Sequence, residues 1–234
     1  MQKFVWQDFE IEEKIQLKKD LETLDQIGHT PLIHTCFTGN LELAKKLVEA
    51  NVDVNHVSKL EITPLIQATL KGDKNIVDLL ITSGAEIEAR SKKGRTAIML
   101  ASEKGDYNIV KTLIEQGANV HVKDDDGCTT LMKAAYAGSE ETVKLLLSCG
   151  VDMDIRDKSN YTAFKWGVHW SAIAKIFVEN GVDINEVFEL KSCKENLKLE
   201  KYSFLVNHIE ENLDKLNEES MKKWKAYRLY TIFS

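Results

Sequence analysis

Residues 129–154 read TTLMKAAYAGSEETVKLLLSCGVDMD, and the same pattern stands upstream and downstream of them. Residues 30–55 read TPLIHTCFTGNLELAKKLVEANVDVN, residues 63–88 TPLIQATLKGDKNIVDLLITSGAEIE, and residues 96–121 TAIMLASEKGDYNIVKTLIEQGANVH. A shorter copy, TAFKWGVHWSAIAKIFVENGVDIN, occupies residues 162–185. The starts at Thr30, Thr63, Thr96, Thr129 and Thr162 are each 33 residues apart. Five starts in strict register mark an internal repeat, and a repeat must be read before any local element.

Each copy reads as two short helices. The threonine can cap the first with its hydroxyl, and Pro31 and Pro64 suit a first helical turn. A small residue follows at one fixed place, Ala68, Ala101, Ala134 and Gly167, where neighbouring helices can approach closely. Gly39, Gly72, Gly105 and Gly138 make the turn. The second helix carries apolar pairs such as Leu80-Ile81 and Leu113-Ile114. It stops at Gly84, Gly117, Gly150 and Gly181, with Asn51 in the first copy, where a left-handed cap is wanted. Alternating stretches such as Val52-Asp53-Val54-Asn55 then lead into polar turns such as Asp124-Asp125-Asp126-Gly127, predicting hairpin-like fingers.

Period, threonine start and glycine stops together resemble the ankyrin repeat, whose signature is T-P-L-H-x-A at a period of 33. The resemblance covers residues 25–187. It implies an all-α ankyrin-repeat solenoid: helix-turn-helix units bearing hairpin-like finger loops, plus a C-terminal helical extension. The chain departs from the signature at its histidine, which is replaced by Ile33, Ile66, Met99, Met132 and Lys165. The fifth copy is two residues short near His169-Trp170, which predicts an irregular turn there.

A stack of repeats exposes apolar faces at its ends and needs caps. Residues 1–24 read as a degenerate half-repeat. Phe9, Ile11, Ile15 and Leu17 form the apolar side of a helix over 7–19, and Asp20-Leu21-Glu22 with Asp25 imitate the start of a finger. Residues 188–234 lack the repeat signature. They predict two helices with a break near Glu211-Asn212, then a tail that gathers Trp224, Tyr227, Tyr230 and Phe233 among Lys222, Lys223, Lys225 and Arg228. That segment reads as a C-terminal cap packing its aromatics on the last repeat.

Composition narrows the function. The 234 residues are 43% hydrophobic and carry a net charge of −6, which gives no whole-chain attraction to nucleic acid. Cys36, Cys128, Cys149 and Cys193 show no C-x-x-C spacing and are expected to be reduced thiols. The N-terminus has no apolar signal-type region and no stretch of about 18 apolar residues occurs, so a cytoplasmic location away from the membrane is expected. Gly-x-Gly is absent, as are H-E-x-x-H and G-x-S-x-G. The Asp124-Asp125-Asp126-Gly127 run fails the calcium-loop spacing, since Val122 and Lys133 would hold the end ligand positions. No catalytic residue, cofactor, metal or small-molecule substrate is expected.

The resemblance implies a concave binding face built from finger tips and the ends of the first helices. Carried over copy by copy, it selects Ile27, His29 and Phe37, then Leu60, Ile62, Leu70 and Lys71. Lys92, Lys93, Arg95 and Lys104 follow, then Asp125, Asp126 and Tyr136, then Tyr161 and Trp170. The first two copies are apolar there, the third is basic, the fourth acidic, and the last two aromatic. Exposed apolar patches and aromatic or arginine anchors mark contacts. The expected partner is another protein, with an apolar patch and an acidic patch, held by a monomer acting as adaptor or scaffold. An inhibitor that neutralises a cognate toxic enzyme is the alternative. An enzyme seated in the C-terminal extension and a nucleic-acid binder using the third copy are minor ones.

Overall fold

The computed structural model describes residues 6–183 except 18, residue 185, and positions 207, 209–212, 214, 216, 218, 220–222 and 225. A lone helix, α1 (Asp8–Leu17), precedes five pairs: α2 (Pro31–Thr38) and α3 (Leu41–Glu49), α4 (Pro64–Lys71) and α5 (Lys74–Thr82), α6 (Ala97–Lys104) and α7 (Tyr107–Glu115), α8 (Thr130–Ala137) and α9 (Glu140–Ser148), α10 (Ala163–Gly167) and α11 (Ser171–Glu179). First helices pack on first helices, α2 to α4 to α6 to α8 to α10, and second helices on second helices from α3 to α11. Two helical layers result, an inner one and an outer one, with α1 joining the outer layer against α3. The all-α solenoid implied by the repeat is what the chain forms.

The repeat dictates the ends of these helices. Thr30, Thr63, Thr129 and Thr162 accept the backbone N–H three residues on. Thr96 is the exception: its backbone sits in the same extended conformation, but its hydroxyl makes no cap bond. Gly39, Gly72, Gly105 and Gly138 end the inner helices in the left-handed region. Asn51 reaches the same region at φ 57, as the short polar side chain permits. The outer helices carry caps that the threonine pattern did not announce: Asn40, Asp73 and Asp106 accept from Leu43, Ile76 and Ile109.

Burial follows the period. Leu32, Leu65, Ile98, Leu131 and Phe164 occupy one buried column, and Leu47, Leu80, Leu113, Leu146 and Phe177 another. Each such side chain contributes about 1.5–3 kcal/mol on burial. In the fifth pair both columns carry phenylalanine, and the two rings meet edge to face at 6.2 Å. The small residue at Gly167 is compulsory, because an added Cβ would lie 2.5 Å from Ile173 and 3.0 Å from Ala135. Where the two residues are missing, α10 is five residues long against eight in the other inner helices, and it lacks the left-handed glycine cap.

One expectation changes at the N-terminal end. On α1 only Ile11 and Ile15 turn to the core, while Phe9 and Leu17 are exposed, at 65% and 62%. The i,i+4 pair settles the helix's orientation, and Phe9 and Leu17 fall off that stripe. Glu22 meets the array in register, accepting the Asp53 N–H at 2.7 Å as Asn55 accepts that of Glu86 and Glu88 that of Asn119. Beyond the fifth pair, Ile209 is fully buried, Ser220 is buried, and Asn212 ends a short helical stretch. The aromatic tail of Trp224, Tyr227, Tyr230 and Phe233, with Lys223 and Arg228, lies outside the described residues.

Candidate functional site: the finger-facing surface

Each finger is closed the same way. The residue five before the threonine donates its N–H to the carbonyl of the residue just before the threonine: Asp25 to His29, Ser58 to Ile62, Ser91 to Arg95, Asp124 to Cys128, Asp157 to Tyr161. Where that residue is aspartate, its Oδ1 accepts two backbone N–H groups as well, from Ile27 and His29, from Asp126 and Cys128, and from Ser159 and Tyr161. Successive fingers are linked by backbone bonds from Lys59 to Ile27, Asp125 to Lys93 and Lys158 to Asp126. This aspartate position is structural, and its signal was visible as Asp25, Asp124 and Asp157 at one place in the period.

One ion pair shows that finger bases and inner-helix ends share a face. Arg95, just before its threonine, donates to Glu103, seven after it, at 2.7 Å. The positions equivalent to Glu103 are Phe37, Leu70 and Tyr136, and all three are exposed. Leu60 projects from the second finger, also exposed, while Ile27 and Ile62 are half-buried beside it. The apolar residues expected on the first two copies therefore stand at equivalent places on the surface.

Five of the selected residues have other engagements. His29 is buried, its carbonyl accepting from the Trp6 indole, and burial holds its pKa below the usual histidine range. It is withdrawn from the binding surface. Arg95 is held by Glu103 and lies 3.6 Å from Asp124, so it is no free cation. Lys104 donates to the Leu70 carbonyl, and the Lys71 stem lies over Gly39. The Trp170 indole donates to the Tyr136 carbonyl at 3.1 Å and its ring covers Gly138. Lys104 and Trp170 close the C-terminal ends of the preceding inner helices, where unpaired carbonyls need donors. The basic third copy thus keeps Lys92 and Lys93 at its tip. Asp125 and Asp126 are exposed on the fourth finger, Asp125 lying against Gly94 of the third, and Tyr161 is exposed on the fifth.

A groove of about 370 Å³ opens on this face between the third and fifth pairs. Its floor is a buried polar system that sequence reading did not find. Lys133, 8% exposed, reaches Asp124 at 2.8 Å, and the Asp124 side chain is wholly buried. Burial pushes the Asp124 carboxyl up, but the Lys133 ammonium and the N–H groups of Cys128 and Asp126 outweigh it and hold the group below the usual carboxylate range. One unit on, the Trp166 indole donates to Asp157 at 2.9 Å. The two pairs share a spacing of nine residues, finger to inner helix, and that spacing was the available signal. Trp166 and Tyr136 meet edge to face at 5.5 Å to form one wall. Cys128 lies in the groove with its thiol pushed up to about 11 by burial, which leaves little thiolate to act as a nucleophile.

A family model described as ankyrin repeats (3 copies) matches over residues 9–91, 45–124 and 98–187. The chain belongs to the ankyrin-repeat family. Ankyrin repeats are generally protein–protein interaction modules and are typically non-catalytic. No curated protein matches this ankyrin chain. Among its described residues no helix is long and apolar enough to cross a membrane.

Proposed function

We propose that the chain is a non-catalytic recognition module that holds a partner protein on the face shared by fingers and inner helices, as an adaptor or scaffold. The observation that carries this reading is the set of large apolar side chains left exposed on finger tips and helix ends: Phe37, Leu60 and Leu70 on the first two units, then Tyr136, Tyr161 and Trp170 on the last two. Each sits on a helix end or finger that is held within the array. Their exposure does nothing for the fold and offers apolar area to a partner. The partner meets the first two units with an apolar patch and the tips of Lys92 and Lys93 with an acidic one.

The test is capture by the full chain and by a Phe37→Glu, Leu60→Glu, Leu70→Glu variant. All three side chains are already about two-fifths exposed, so the variant keeps its helical circular-dichroism spectrum and unfolding midpoint. One hot-spot residue among the three carries about 2 kcal/mol or more, so capture falls at least about thirtyfold. A folded variant that retains the same bound protein at the same strength overturns the surface.

A further inference from the structure

Within that recognition surface, and resting on the protein-binding reading above, we propose that the groove between the third and fifth units receives a cationic side chain of the partner, arginine in first place. The charge balance of the groove supports it. Among the lining residues, Arg95, Lys133 and Lys158 are matched in number by Glu103, Asp126 and Asp157, and buried Asp124 behind Lys133 tips the sum to −1. The pairing is uneven as well. Arg95 is held by Glu103 and Lys133 by Asp124, two cations with two anions. Asp157 accepts from neutral donors, two backbone N–H groups, the Trp166 indole and, at 3.8 Å, the Cys128 thiol, and among the described residues no cation forms an ion pair with it. Asp126 is exposed at the rim.

The aromatic wall complements this charge. Lys133 already stands 6.0 Å from the centre of the Trp166 ring. Tyr136 is 56% exposed and offers the open ring. A cation over an aromatic face gains electrostatic attraction, and a guanidinium can stack flat while its forked N–H groups reach carboxylates. A volume of about 370 Å³ is at the small end of ligand sites and admits one long side chain rather than a secondary-structure element.

The probe is acetyl-arginine-methylamide, titrated into the full chain while the Trp166 indole N–H resonance is followed by NMR. The matching glutamine and glutamate compounds serve as comparisons, and a Trp166→Phe variant assigns the signal. The arginine compound shifts the resonance saturably. The glutamine compound binds at least about tenfold more weakly, the size of one charged hydrogen bond, and the glutamate compound more weakly still. A Tyr136→Leu, Asp126→Asn variant that keeps native spectral dispersion loses the arginine response. Equal or tighter binding of glutamine or glutamate overturns the proposal, as does a native-like variant with an undiminished arginine response. Should the variant not fold, the ligand series on the native chain decides alone. If the arginine probe fails while the Phe37, Leu60 and Leu70 substitutions still abolish capture, the groove proposal falls and the recognition surface stands. If capture ignores those substitutions, the broader reading falls whatever the probe does.

Discussion

Replacing Lys133 with methionine destabilises the array by about 3 kcal/mol at neutral pH, the low end of what breaking a buried ion pair costs. The magnitude follows from what remains around Asp124. Its side chain is wholly buried, so the carboxylate cannot recover water when the 2.8 Å contact is lost. Oδ1 keeps the N–H groups of Asp126 and Cys128, and Oδ2 keeps Arg95 at 3.6 Å, which limits the loss. Methionine retains the stem's packing beside Trp166, so the deficit reports charge rather than volume. Asp124→Asn alone costs about 1–2 kcal/mol, since an amide oxygen still accepts both N–H groups. The double variant is more stable than the sum of the two by about 1 kcal/mol or more, because its second substitution removes no surviving partner. The pH dependence is a separate check. Asp124 is held below its ordinary value in the folded chain, so its pairing stabilises fully above the unfolded value and is lost as pH falls through the folded one. Without Lys133 the carboxyl protonates more readily, and the variant's deficit shrinks below about pH 4. Urea unfolding followed by circular dichroism, from pH 7 to pH 3, measures both. A neutral-pH deficit under about 0.5 kcal/mol, the size of an exposed pair, refutes the argument, and so does strict additivity.

Glu61 holds a left-handed conformation at φ 56, where the equivalent residues are Gly28, Gly94, Gly127 and Asn160. That conformation costs a non-glycine residue about 1–2 kcal/mol, and glycine's looser unfolded chain takes back about 0.5–1, so Glu61→Gly raises stability by about 0.5–1 kcal/mol. A lowered urea midpoint contradicts this. Burial depresses the pKa of His29 and of His34, the latter against the opposing pull of Asp8. The unfolded chain therefore binds more protons as pH falls below about 6.5, and stability drops from pH 7.5 to pH 5. A midpoint that holds or rises over that window contradicts the assignment, and His34→Gln flattens part of the slope.

The architecture was legible because a repeat reports each structural demand several times. Five threonine starts located the inner helices, the aligned glycines located the turns of the first four units, and the two-residue gap located the shortened α10. The face was legible only by position. Phe37, Leu60, Leu70 and Tyr136 are exposed at the expected places, yet the same rule also selected His29, Lys104 and Trp170. Whether a side chain at such a place is free depends on the neighbouring unit: the segment carrying Trp6 docks on the His29 backbone, and Leu70 and Tyr136 present carbonyls to the residues 34 further along. Periodicity describes one unit at a time and is silent about that. The Lys133–Asp124 and Trp166–Asp157 pairs escaped for a related reason. The partner of the finger aspartate changes from unit to unit, with His34 at that place after Asp25, Lys133 after Asp124 and Trp166 after Asp157, so no column of identical residues drew attention to the spacing of nine.

Recognition and stability separate along the same line. In a stack where each unit touches only its neighbours, side chains pointing away from the interfaces can differ from unit to unit without disturbing the next. The place held by Phe37, Leu70, Glu103 and Tyr136 uses that freedom, with four different residues on one repeated backbone. Trp170 combines both duties. Its indole N–H is tied to the Tyr136 carbonyl and its ring rests on Gly138, yet half of it remains exposed. A ring fixed in advance loses little conformational freedom when a partner docks, whereas an untethered side chain must be ordered at a cost of about 0.5–1.5 kcal/mol. Tyr136 is braced in turn by its edge-to-face contact with Trp166. The last two units therefore present their aromatic surface already ordered, beside the groove whose charge balance selects a cation.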